Sequence, residues 1–210
     1  MLARSQSRFF TVSERRVPDV QSLPDGARVS DILAYVRVLN DRIDAMTERY
    51  RVRLDKKYHV FSAGHFITYG GDICERLHGH NYRVQVEVDG PLDENHYVVD
   101  FISLRDALKT ITDELDHRMM LPTEHRAIRV QADEREVTVT FEDRRWVFPR
   151  CDCVLLPLPN TTAELLARHI GRRLLESLQT QSGVRPERLQ VAVGEDNGQW
   201  GIWEGMKDEG

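Results

Sequence analysis

CERLHGHNYRVQVEV, residues 74–88, is the stretch on which the whole chain turns. Successive side chains of an extended chain point to opposite faces, so residues two apart point the same way. His78 and His80 therefore share a face with Tyr82, Val84, Val86 and Val88, the apolar face that a half-buried strand turns inward. Two imidazoles leading into a buried face call for a partner, and a metal ion suits their spacing. A third nitrogen ligand beside an open position makes such a site catalytic rather than structural.

Just upstream, His59, Phe61, Ala63 and His65 share one face of the preceding strand, YHVFSAGHF (58–66), and His65 is the candidate third ligand. A lone histidine on such a face is ordinarily a satisfied core residue. Two at a spacing of two, with another on a neighbouring strand, favour metal binding, and three imidazoles with one open position match a catalytic zinc. Cys74 and Glu75 precede His78 by four and three residues. Away from a metal they read as a small buried hydrophobe and a solvated charge. Near a cation the thiol shifts toward thiolate, which makes Cys74 a candidate base or nucleophile. Cys151 and Cys153 have no second ligand pair nearby and read as ordinary thiols.

Further along, Asp116 and His117 end a helix. A histidine there can simply complement the helix dipole, or a carboxylate can orient it as a proton shuttle; spacing alone favours the first. Glu195 continues the inward parity of Leu189, Val191 and Val193. A carboxylate on an apolar face must be paired or bound, and a heterocycle edge with two adjacent N–H donors would suit it. Thr161 and Glu164 have the spacing of a capping box.

The rest of the chain frames these residues. At 210 residues it suffices for one sizeable core and hardly for two. A net charge of -5 argues against non-specific nucleic-acid binding and favours a small-molecule partner. Three cysteines do not make a disulfide framework. No apolar run approaches the roughly 20 residues that span a bilayer, and the start lacks a secretory core, so a cytoplasmic protein is expected.

Residues 1–45 read as a peripheral arm followed by an amphipathic helix, with Ser30 as N-cap and Ile32, Val36, Leu39, Ile43 and Met46 on its stripe. The body, 46–210, opens with a strand at 50–54. After the HGH strand come a short strand at YVVDF (97–101) and a helix that starts at a Ser103–Asp106 capping box. Residues 118–159 are irregular apart from a hairpin, EVTVTF and RWVFP around Glu142–Arg144. A helix from Thr162 and a last strand or pair finish the chain. Antiparallel strands with segregated helices define α+β.

Together, FSAGHF, C-x3-HGHNY, VVDF, LDH, NTTAE and GEDN, in that order over roughly residues 48–206, resemble the 6-pyruvoyltetrahydropterin synthase family, which includes bacterial 6-carboxytetrahydropterin synthase. The resemblance implies a tunnelling fold: a four-stranded antiparallel sheet with two helices on one face. Trimers close it into a barrel and stack as a homohexamer with active sites between subunits. It implies His65, His78 and His80 as Zn2+ ligands, Cys74 as catalytic cysteine, and Asp116–His117 as proton relay. Glu195 becomes the pterin anchor, with Thr162, and less securely Thr161, against the substrate. The implied reaction is lysis of 7,8-dihydroneopterin triphosphate to 6-carboxytetrahydropterin for queuosine-type synthesis. Two departures stand out. Glu75 occupies the position of the catalytic glutamate in a folate-branch subgroup that yields 6-hydroxymethyl-dihydropterin, so Cys74 and Glu75 together look bifunctional. The 118–159 insert replaces a short family link. A zinc- or pterin-binding protein without turnover is the alternative of another class.

Overall fold

The computed structural model describes residues 29–30, 32–33, 36–37, 48–57, 59–70, 73–196 and 198–206. The chain divides into two units, 1–48 and 49–210. In the first, the described residues from Val29 to Arg37 are helical, and Ser30 already lies within the helix, so it is not the N-cap. Ile32 and Val36 of the expected stripe are solvent-exposed there; Leu39, Ile43 and Met46 fall outside the described residues. No helix among the described residues is long and apolar enough to cross a membrane.

The second unit is built around β5 (His78–Gly90), the strand that begins with the HGH motif. Its length lets two strands share one edge end to end. β2 (Val60–His65) pairs antiparallel with residues 78–83, and β1 (Tyr50–Leu54) pairs antiparallel with 86–90. The opposite edge takes β11 (Arg188–Asp196), which carries β12 (Gln199–Met206). The inward alternation holds as the sequence requires: Tyr82, Val84, Val86 and Val88 are fully buried, as are Leu189, Val191 and Val193. Helices α1 (Phe101–Asp113) and α2 (Ala163–Ser182) cover that face through Leu104, Leu108, Leu166, Ile170 and Leu174.

Two local expectations are corrected. YVVDF is not a strand but an irregular turn into α1, whose N-cap is Asp100 rather than Ser103. The Asp100 carboxylate accepts from Ile102 N, Ser103 N and the Ser103 hydroxyl, so Ser103 supports the cap from inside the first turn. At the other end α1 stops at Asp113, and a turn carries the chain through Asp116 and His117.

The largest difference lies in residues 118–156. The hairpin forms as expected, β8 (Glu136–Phe141) with β9 (Arg144–Pro149), and β7 (Arg129–Ala132) widens it to three strands. Around it, β6 (Arg118–Pro122) and β10 (Cys153–Leu156) run parallel to each other, and β6 is parallel to the end of β2. The sheet is thus mixed and wider than the expected four antiparallel strands, in the order β10-β6-β2-β5-β11-β12. Parallel neighbours need a long crossover, and β7–β9 provides it for β6 and β10. The insert owns a second core, in which Leu121, Ile128, Val137, Val139 and Phe141 pack with Phe66 and Cys74 of the main body. The two-residue strands β3 (Thr68–Tyr69) and β4 (Ile73–Cys74) form the small ladder from which Cys74 projects.

Candidate metal and pterin site

The register of β2 on β5 sets His65 directly opposite His78, with Ala63 opposite His80. One ring nitrogen from each of His65, His78 and His80 lies within 4.8 Å of the others, so the three can hold a metal ion. Their tautomers are fixed from behind. His65 Nδ1–H donates to the carbonyl of Thr161 at 2.9 Å, and His78 Nδ1–H to that of Arg76 at 2.9 Å. Each Nε2 then carries a lone pair, and the two face each other at 3.2 Å. Two lone pairs at that separation repel unless a proton or cation lies against them, so the donor set fits a metal. Burial pushes His65 down to about 4, against the bond to Thr161 and with help from its two neighbours, which keeps it in the neutral form that binds metal. The intervening glycine is required by packing: a Cβ on Gly79 would stand 2.9 Å from the Ala63 carbonyl oxygen. Beneath the triad, the buried Tyr82 hydroxyl has no partner among the described residues.

Cys74 is half-buried at the end of β4, opposite Thr68. Its thiol donates to the Glu75 carbonyl at 3.6 Å. Burial pushes the thiol up, and the Arg144 guanidinium beside it pulls the other way. The Glu75 carboxylate lies 3.8 Å from His78 Nδ1, at the back of a candidate ligand.

Asp116 and His117 do form a pair. Oδ2 of Asp116 accepts from His117 Nδ1 at 2.9 Å, and Oδ1 accepts from Ser62 N at 2.7 Å. The Ser62 N–H and then the His117 ring hold this carboxyl below its usual range. His117 has a left-handed backbone, φ 55°, and its ring is largely exposed. With Nδ1–H committed, its Nε2 is free to exchange a proton with a bound molecule. His117, Ser62, His78 and His80 line one cleft of about 610 Å³.

Glu195 sits where β11 and β12 lose register, a bulge that re-aims its side chain from the strand's inward row. It is half-buried, and desolvation pushes its carboxyl up, opposed by the nearby His80. It lines two further clefts, one of about 680 Å³ shared with His80 and Trp200, the other of about 290 Å³ shared with Thr162 and Glu164. Thr162 is the N-cap position of α2 without a side-chain cap bond, so its hydroxyl remains available. Thr161 has another task than the expected substrate contact. It is fully buried, its carbonyl orients His65, and its hydroxyl donates to Phe66 O at 3.3 Å. The Thr161–Glu164 capping box does not form, because the helix caps one residue later. Cys74 and Glu75 line none of these three clefts. Cys151 and Cys153 are free thiols.

Three contributors carried no sequence signal tying them to the site. Arg144 donates from Nη2 to the carbonyls of Cys74 and Glu75, both at 3.0 Å. Trp146 stacks on Phe66 with centroids 4.7 Å apart. The buried His125 bonds through Nε2 to the Thr68 hydroxyl at 2.8 Å. All three belong to the insert, and only the fold reveals that it reaches the HGH strand.

Fold and site together define an α+β protein with a candidate tri-histidine metal centre beside a carboxylate–histidine pair. Residues 54–205 match the model of the family described as 6-pyruvoyl tetrahydropterin synthase. A Methanocaldococcus jannaschii protein with the provisional name 6-carboxy-5,6,7,8-tetrahydropterin synthase is 31% identical over 140 residues, 66% of this chain and 85% of that protein. The Haemophilus influenzae 6-carboxy-5,6,7,8-tetrahydropterin synthase is 29% identical over 123 residues, 56% of this chain and 79% of that protein. Among solved structures, Plasmodium vivax 6-pyruvoyltetrahydropterin synthase, in a form with a catalytic glutamate replaced by alanine, superposes with a TM-score of 0.70 at 26% identity. The match covers 77% of this chain and all of that one. The chain belongs to the 6-pyruvoyl tetrahydropterin synthase family and is a lyase of that type.

Proposed function

We propose that the protein is a zinc-dependent lyase that converts 7,8-dihydroneopterin triphosphate to 6-carboxytetrahydropterin. The observation that carries this is the facing pair of imidazole lone pairs, their tautomers fixed by the Thr161 and Arg76 carbonyls, in a chain whose relatives are named for that product. His65, His78 and His80 would hold the ion. When bound, it supplies Lewis acidity toward the hydroxyls of the substrate side chain and lowers the cost of charge developing there.

The remaining roles belong to the protein. Glu195, with its raised affinity for a proton, accepts or shares hydrogen bonds with the N–H edge of the pterin ring, and the Thr162 hydroxyl contacts the same ring. Cys74, as thiolate, withdraws a proton from the side chain. His117, held by Asp116, delivers or accepts one at Nε2 on the opposite face. As the electron pair moves, triphosphate leaves, and loss of acetaldehyde yields the 6-carboxy product. The separate placement of Cys74 and of the Glu195 clefts on one chain agrees with sites completed between subunits of a homohexamer, a cytoplasmic assembly in this reading.

One observation favours a second outcome on the same scaffold. The Glu75 carboxylate stands beside the His78 ring, and the Plasmodium vivax relative has a glutamate described as catalytic. Acting as base, Glu75 would direct cleavage to 6-hydroxymethyl-dihydropterin for folate-type synthesis. Incubation of zinc-loaded protein with the triphosphate, with products separated by chromatography, decides between them. Loss of the 6-carboxy product in Cys74→Ala with 6-hydroxymethyl product retained assigns one chemistry to each residue. No turnover by the parent protein would overturn the proposal.

A further inference from the structure

We propose that the insert completes the active site through Arg144, a positioning residue that fixes the Cys74–Glu75 step and so biases which of the two groups acts. This role presupposes the proton-transfer chemistry proposed above for that pair. Arg144 opens β9, directly after the hairpin turn at Glu142, where φ is 51°. One guanidinium nitrogen receives both carbonyl oxygens, of Cys74 and of Glu75, at 3.0 Å each. Successive carbonyls of an extended strand point opposite ways, so sharing one donor holds the chain in a turn where β4 ends. Glu75 is fastened from its other side as well, since its N–H donates to Ile67 O at 2.9 Å. The directions of the two adjacent side chains follow from that pinned backbone.

The guanidinium is itself immobilised. Its carbon lies 4.9 Å from the centre of the Trp146 ring and 5.8 Å from that of Phe141. Trp146 stacks in turn on Phe66, the residue after His65. Among the described residues Arg144 forms no ion pair within 4.0 Å, although Glu142 and Asp143 adjoin it in sequence, so its donors are committed to the catalytic segment. Its positive charge also favours the thiolate form of Cys74. A lysine could supply charge but not a planar group stacked on Trp146 and shared between two carbonyls.

A mere anchor for the insert predicts something else. The insert is already attached by the buried Phe66–Trp146 stack and by the His125–Thr68 bond, so removing Arg144 leaves it docked. In full-length, zinc-loaded protein turning over dihydroneopterin triphosphate, Arg144→Gln is expected to keep zinc stoichiometry and leave KM within about threefold. Its kcat should fall about 10- to 100-fold, the penalty of misplacing a reacting group. The 6-hydroxymethyl share of product should rise as Cys74 loses its support, and Arg144→Lys should recover only part of kcat. Unchanged kcat and product ratio would overturn the proposal, whatever happens to the melting temperature. A second readout needs no turnover: alkylation of Cys74 by iodoacetamide at pH 7.5, followed on its own peptide by mass spectrometry, should slow severalfold in Arg144→Gln. If the parent protein proves inactive, the functional proposal fails while this rate still decides the role of Arg144: slower alkylation upholds it and an unchanged rate refutes it.

Discussion

Gly79→Ala tests whether the metal site depends on the close approach of two strands. Gly79 lies between two candidate ligands and opposite Gly64 on β2. The new methyl would meet the Ala63 carbonyl oxygen at 2.9 Å, with Ala63 C and Gly64 Cα at 3.6 Å. The obstacle is backbone, so no side chain can rotate away. Relief to ordinary contact at 3.4 Å demands about 0.5 Å of strand separation. Overpacking of this kind costs about 1–3 kcal/mol of stability, which a buried sheet of this size can survive. The metal site tolerates less, because ligand distances must hold to about 0.2 Å. His78 and His80 move with Gly79, whereas His65 stays on β2. The expected result is a folded protein with unchanged far-ultraviolet circular dichroism and zinc affinity lowered about 10- to 100-fold, the scale seen when ligands are misdirected. Competition against a chromophoric chelator measures that affinity, and urea titration of the metal-free protein measures the stability cost. Affinity within twofold of the parent would refute the reasoning, since it would mean that the ligands do not move with the β2–β5 pairing.

Tyr82→Phe should leave the metal-free protein as stable or more stable by about 1 kcal/mol, because it removes a buried hydroxyl without a partner; a clear loss in urea titration would reveal a hidden partner. Asp116→Asn should keep the fold and zinc but lower kcat about 100- to 10,000-fold by freeing the His117 ring, and an unchanged kcat would dismiss the relay. The same variant has a pH signature. The folded protein holds the Asp116 carboxyl below its usual range, so its contribution is complete above the ordinary carboxylate pKa and fades as pH falls through the lower folded value. The stability gap between parent and Asp116→Asn should therefore narrow on acidification, as followed by thermal melts from pH 6 to pH 2. Gly201→Ala should destabilise by about 1–3 kcal/mol, since its Cβ would fall 2.4 Å from the backbone of Ala163 and Glu164. A neutral effect in urea titration would show that α2 is not held against β12 there.

Period-two alternation made the centre of the fold legible. In β5 and β11 the inward rows read off the sequence are the buried rows of the structure, because one face is sealed by two helices and a one-residue slip would turn every valine outward. Legibility failed where local chemistry admits two answers. VVDF has strand-forming residues, yet Asp100 satisfies three donors as a cap, and that stabilises the turn into a helix instead. In 118–156, β6 and β10 are short apolar runs, MML and VLL, with no alternation to declare them, and parallel pairing has no hairpin turn to mark it. Their place depends on partners distant in the chain.

The site divides along the same line. His65, His78 and His80 were readable because all their information is local: two strands, one face, a fixed spacing. Glu195 was readable as an anomaly, a carboxylate on an inward row, although the bulge that re-aims it was not. Arg144 could not be read, since an arginine after a hairpin turn is ordinarily a solvated charge, and its meaning arises only when Phe66 and Cys74 join the insert's core. The choice between Cys74 and Glu75 is thus not encoded by those two residues alone. Both side chains hang from a backbone turn whose carbonyls meet a cation about 70 positions downstream. A relative with the same C-E-x-x-H-G-H run and no such insert would lack that restraint. Product assignment in this family therefore requires knowing what stands against the segment as well as which residues occupy it.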